Sequence, residues 1–150
     1  MATVIRGDDN FDSADAGKVL QVVRNYTANQ GYISTTSATF VASGILVTIT
    51  PTQIGSEILV DYGNTMNDVN SGGQMIAQMR INGSEMAGSS SYHAGYWNRG
   101  YMQSVFGGSY TTTSTSPITF ELYFRRGSGT AAYIAHTGGS NHITATEVGA

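Results

Sequence analysis

Ile118-Thr119-Phe120-Glu121-Leu122-Tyr123-Phe124-Arg125-Arg126 decides the fold class. Its apolar residues fall at every second position, with Ile118, Phe120, Leu122 and Phe124 on one side and Thr119, Glu121, Tyr123 and Arg125 on the other. A period of two is the repeat of a strand with one buried face, since successive side chains of extended backbone point to opposite sides. A helix would need its apolar residues three and four apart.

The same texture continues outward from this segment. Upstream, Gly44-Ile45-Leu46-Val47-Thr48-Ile49-Thr50 alternates in the same way until Pro51, which has no N–H to offer a ladder. Ile45, Val47, Ile49, Ile118, Phe120, Leu122 and Phe124 are therefore expected in the core. Lys18 to Tyr26, Ala38 to Val41 and Ser56 to Gly63 are β-branched and apolar, and read as further strands. Gln74 to Ile81 runs into Asn82-Gly83, two residues that accept the positive φ of a tight hairpin turn, so Ser84 to Ala87 is expected to return beside it. Tyr101 to Thr113 reads as one strand interrupted at Gly107-Gly108, by a bulge or by close approach of another backbone. Ala131 to His136 and His142 to Val148 are expected to close the chain as a terminal hairpin.

About eight to ten short strands, no amphipathic helix and no fixed-period repeat predict an all-β, antiparallel sandwich of jelly-roll type. Residues 1–17 are expected to form an extended N-terminal arm, and 18–150 the sandwich domain. The arm holds four of the ten acidic residues.

Composition narrows function by exclusion. Only 11% of residues are charged, against about 25% in an average soluble domain. Ser, Thr, Tyr and Gly take their place, as suits sheet surfaces better than exposed helices. The net charge is −3 and there is no basic cluster, so neither nucleic acid nor membrane is an expected partner. With no cysteine, disulfides and thiol chemistry are ruled out. No apolar run approaches the roughly 18 residues of a membrane helix, and the first residues lack a signal-peptide core.

No spacing announces an active site. Gly88-Ser89-Ser90-Ser91-Tyr92 does not fit the turn that carries a serine nucleophile. The carboxylates outside the arm, Glu57, Asp61, Asp68, Glu85, Glu121 and Glu147, show no glycosidase pairing and are expected to be solvated or hydrogen-bonded surface groups. His136 and His142 could face each other across the terminal hairpin as two metal ligands, with Asp61 or Glu121 as a third. A metal site needs three or four converging ligands, so the expectation is of ordinary cross-strand neighbours, with no enzyme activity, metal or cofactor. The Arg6-Gly7-Asp8 tripeptide is too short to carry specificity.

The segment from Gly88 to Arg99 holds the single Trp in a Gly/Ser-rich stretch and reads as an aromatic surface loop. Tyr92, His93, Tyr96, Trp97, Arg99 and Tyr101 could anchor a subunit interface or stack on a sugar.

Gly17-Lys18-Val19-Leu20-Gln21-Val22-Val23, Phe40-Val41, Leu46-Val47-Thr48-Ile49-Thr50-Pro51, Ser56-Glu57-Ile58-Leu59-Val60 and Met79-Arg80-Ile81-Asn82-Gly83 follow one another in an order that resembles small virion proteins of tailed phages, especially aquatic ones. The resemblance spans roughly residues 17 to 125. It implies a jelly-roll domain used in capsid decoration (cement) proteins and in fibre tips, on the capsid exterior of a virion assembled in the host cytoplasm. A fibre would need a shaft, and the chain has neither heptads nor a collagen repeat, which favours a separate decoration subunit. On that reading the partners are the chain itself, as a homotrimer, and the phage major capsid protein, gripped through Val4, Ile5, Arg6, Asp8, Asp9 and Phe11 of the arm. The rival reading is a fibre-tip domain that takes a host surface glycan on the aromatic loop.

Overall fold

A computed structural model of the chain describes residues 17–28, 31, 33–64, 74–87, 91–94, 104–134 and 140–150. Every regular element among them is a strand. In chain order these are β1 (Val19–Thr27), β2 (Ser34–Thr35), β3 (Val41–Ile49), β4 (Glu57–Asn64), β5 (Gln74–Ile81), β6 (Ser84–Glu85), β7 (Ser91–Ala94), β8 (Ser104–Thr111), β9 (Ile118–Ser128), β10 (Ala132–Tyr133) and β11 (Asn141–Val148).

The protein is an antiparallel β-sandwich. One sheet has the order β1-β11-β4-β8; the other runs β3-β9-β5-β6, with β7 also on β5. Their inner faces meet in one core. The four-stranded sheet contributes Ile58, Val60, Tyr62, Ile143 and Ala145; the five-stranded sheet contributes Ile45, Val47, Ile49, Met75, Met79, Phe120, Leu122 and Phe124. All seven residues expected in the core from alternation are buried. Each such side chain contributes about 1.5–3 kcal/mol on leaving water, and without disulfides this burial is the main force holding the sheets together.

The pairing is nested. β1 pairs with β11, β3 with β9, β4 with β8 and β5 with β7, all antiparallel. The chain thus follows the path of one long hairpin, whose outermost limbs are the first and last long strands. Two further ladders, β11 with β4 and β5 with β9, fold that hairpin over into two sheets.

Local chemistry explains the boundaries. Asn82 at φ 48° and Gly83 at φ 84° make the tight turn expected between β5 and β6, and the Asn82 side-chain oxygen accepts the Thr119 N–H at 2.9 Å, tying the turn to β9. Of the two explanations for Gly107-Gly108, close approach is the right one. β8 runs in unbroken register with β4. A Cβ at Gly107 would run into the Val60 carbonyl, and one at Gly108 would lie 2.5 Å from Met86 Cε.

Four expectations are corrected. Ala38 to Phe40 is not strand; β3 starts at Val41 and carries an irregularity between Ala42 and Leu46, where Gly44 takes φ 74°. Ser91–Ala94, read as loop, is a strand at a sheet edge, where small polar residues are tolerated because one side needs no partner. The terminal hairpin does not form: β10 pairs with β2, whereas β11 lies between β1 and β4. Alternation says which face of β11 is buried, but nothing about which strands flank it. Finally, Glu147, read with the other carboxylates outside the arm as a surface group, is buried, because it falls on the inward alternation of β11.

Candidate functional site

The arm residues Val4, Ile5, Arg6, Asp8, Asp9 and Phe11 lie outside the described residues, as do Tyr96, Trp97, Arg99, Tyr101 and His136. Tyr92 and His93 belong to β7, with their backbones opposite Ile76 and Met75 of β5. The aromatic segment therefore begins as an edge strand of the five-stranded sheet. β8, beyond it, is the opposite edge of the four-stranded sheet from β1.

The expected His136–His142 neighbourhood loses its basis with the terminal hairpin. His142 instead lies over Gly63, whose missing side chain leaves room for the imidazole, and its Nε2 is 3.6 Å from Asp61 Oδ2. Glu121 is elsewhere: its Oε1 accepts the Gly44 N–H at 3.2 Å, on the other sheet. Among the described residues no three His, Asp or Glu side chains converge as a metal site would require.

The most elaborate polar arrangement surrounds Glu147. This carboxylate sits at the last inward position of β11, after Asn141, Ile143 and Ala145, and is 0% exposed. Gln21 Nε2 and Ser56 Oγ each donate to it at 2.7 Å. The Thr52 N–H donates at 2.9 Å and the Thr52 hydroxyl at 3.1 Å. Burial by itself pushes the carboxyl's pKa up, but the hydrogen bonds from Gln21, Ser56 and Thr52 outweigh it and hold the group below its ordinary value of 4.5. Being enclosed and fully engaged, Glu147 pins β1 and the turn after β3 to β11, and has no face left for a substrate. Expected as a surface group, it is instead the one charged residue on the inward face of this alternating strand.

The same side of the sandwich is closed by amides. Gln21 Nε2 also donates to the Thr50 carbonyl at 2.6 Å, and Asn25 Nδ2 to the Leu46 carbonyl at 2.8 Å. Side chains of edge strand β1 thereby occupy a carbonyl of edge strand β3 and that of Thr50 just beyond it, which would otherwise invite a foreign strand.

The outer faces of the two sheets differ in kind. On the five-stranded sheet the Arg80 guanidinium lies 4.3 Å from the Tyr123 ring centre and 5.8 Å from that of Phe40, and Arg125 lies 5.2 Å from Phe40. These flat groups cover part of the sheet with the chain's own side chains, and Ile76 and Gln78, opposite Arg125 and Tyr123 in the ladder, are buried although they face outward. Alternation marked Tyr123 and Arg125 as outward; stacking on Phe40 and Arg80, distant in sequence, could not be read.

On the four-stranded sheet the one such contact among the described residues lies within β1, where the Arg24 guanidinium is 5.6 Å from the Tyr26 ring centre. Ladder register aligns Val22, Thr146, Leu59 and Ser109 in one row, and Arg24, Thr144, Asp61 and Gly107 in the next. Val22 is 58% exposed and Leu59 43%, with Val19 and Tyr26 also exposed on β1. Of the five exposed large apolar residues among those described, only Ile54 lies elsewhere, in the turn before β4.

Fold and surface together define the class: an antiparallel β-sandwich with one sheet face covered by its own side chains and the other left apolar and open. No protein-family model and no curated protein sequence matches the chain.

Proposed function

We propose that this chain is a non-enzymatic virion structural protein of a tailed phage: a homotrimeric decoration protein of jelly-roll type that stabilises the capsid exterior. The observation that carries the assembly part is the open face of the four-stranded sheet. Isolated exposed apolar residues are ordinary, but several gathered on one face are the mark of a contact surface. Thr144, Thr146, Ser109 and Gly107 between them have short side chains or none, so a partner can approach closely with little side-chain entropy lost.

The jelly-roll part is supported by the nested pairing. A jelly roll is an eight-stranded double sheet made of two Greek keys. Rolling a hairpin in which first pairs with last, second with second-last, and so inward yields such a topology, and β1, β3, β4, β5, β7, β8, β9 and β11 pair in that sequence. The resemblance of residues 17 to 125 to tailed-phage virion proteins supplies the biological setting.

On this reading, the acidic arm reaches the major capsid protein while the sandwich holds the trimer. Removing residues 2–16 is expected to abolish binding to undecorated capsids, read by co-sedimentation, and to leave the oligomer's mass by light scattering at three chains. Unchanged capsid binding would overturn the role of the arm. Failure of the full-length protein to bind capsids, together with binding to a host surface glycan that Trp97→Ala removes, would favour the fibre-tip reading instead.

A further inference from the structure

We infer that the outer face of the four-stranded sheet, centred on Val22 and Leu59, is where copies of this chain meet, the β1 half of one copy's face seating against the β4 half of the next. The inference rests on the assembly reading above and assigns the surface that performs it.

Charge identifies the occupant. Across this face Arg24 projects from β1, whereas Glu57 and Asp61 project from β4, with Thr144 and Thr146 of β11 between them and His142 of β11 beside Asp61, its Nε2 3.6 Å from Oδ2. One half is cationic and the other anionic, so the surface that complements either half is the other half of the same face. Opposite charges across an interface select the partner and set its register. Beyond its first 17 residues the chain is also neutral: the arm's four Asp against one Arg account for the whole net charge of −3. Copies of the sandwich therefore approach without mutual repulsion.

A contact between two different halves is heterologous, and such contacts propagate around a rotation axis until the ring closes. With three copies, three such faces surround the axis, each touching both neighbours. The row Val22-Thr146-Leu59 lies innermost, and Arg24 of one copy meets Asp61 of the next. The opposite sheet has no part in this, because Tyr123, Arg80 and Phe40 already cover it.

The test is the solution mass of the full chain by light scattering, with circular dichroism to verify that each variant keeps its β-sheet spectrum. Leu59→Arg and Val22→Glu are expected to shift the protein from three chains towards the 15.9 kDa of one. The loss should be roughly thirtyfold or more in assembly affinity, as for central contact residues. Thr48→Arg, at an exposed position of the other sheet, should leave the mass unchanged. Arg24→Glu and Asp61→Arg should each weaken assembly, and the two together should restore it. An oligomer that persists in folded Leu59→Arg and Val22→Glu would overturn the assignment of this face while leaving the assembly reading intact. A wild-type protein that stays at 15.9 kDa across all concentrations would overturn both.

Discussion

Glu147 is the residue on which the most local structure depends. A buried carboxylate is tolerable only when donors replace the water it loses, and Gln21, Thr52 and Ser56 do so from two separate elements. Glu147→Gln keeps the volume but turns one acceptor oxygen into a donor amide facing other donors. Urea unfolding at pH 7 is expected to show a loss of about 1–3 kcal/mol, the usual cost of leaving buried polar groups unpaired. The pH dependence has a definite sign. The folded carboxyl titrates below 4.5, so its stabilisation is fully present above that pH and is lost as pH falls through the folded value. Wild-type stability should therefore drop between neutral and acid pH by more than that of Glu147→Gln, and parallel pH profiles would remove Glu147 from the role given to it. The carboxylate was expected at the surface, although it shares the alternation of the buried Asn141, Ile143 and Ala145. Its donors were beyond reach, because Gln21 and Ser56 lie 126 and 91 residues away along the chain.

Among the elements, β9 is the one the amino-acid order specifies most completely, and also the one most packed upon. It lies between β3 and β5, and its inward Phe120 faces Tyr110 of β8 edge-on at 6.3 Å. Truncating Phe120 to Ala should cost about 3–5 kcal/mol through lost burial and the cavity left behind, seen as a lower urea midpoint with an unchanged slope. A cost under 1 kcal/mol would mean the core refills, contrary to a close-packed sandwich. β5 and its Asn82-Gly83 turn were equally legible, since positive φ at two successive residues needs these residue types. β2 and β7 were not. Edge and two-residue strands have no one-sided apolar pattern of their own and exist because a longer strand offers them a ladder.

At the scale of the whole molecule, the nested pairing makes the last strand as central as any. β11 holds eight residues of register with β1 on one side and with β4 on the other. Deleting residues 141–150 should therefore abolish cooperative unfolding altogether, with the loss of dispersed amide signals in an NMR spectrum, although the cut removes less than a tenth of the chain. A folded truncated protein would show that β1 and β4 can pair without it. Since Val19 pairs with Val148, closure of the outermost ladder needs nearly the whole chain. Such topologies fold slowly, on the order of milliseconds to seconds.

The amino-acid sequence by itself determined the all-β class, the inward face of β3 and β9 and the β5–β6 turn. Each of these follows from the properties of a few adjacent residues. Only the tertiary structure decided that β11 runs between β1 and β4 rather than back against its neighbour in the chain. It also decided that Glu147 is met by five hydrogen-bonding contacts shorter than 3.2 Å, and that one outer face is covered by stacked Arg and aromatic rings while the other is left open. The physical reason is common to all three. Alternation along a strand specifies which side of it is buried, whereas the identity of what lies beside or upon it depends on segments far apart in the chain, such as Val19 and Val148, brought together only when the sheets form.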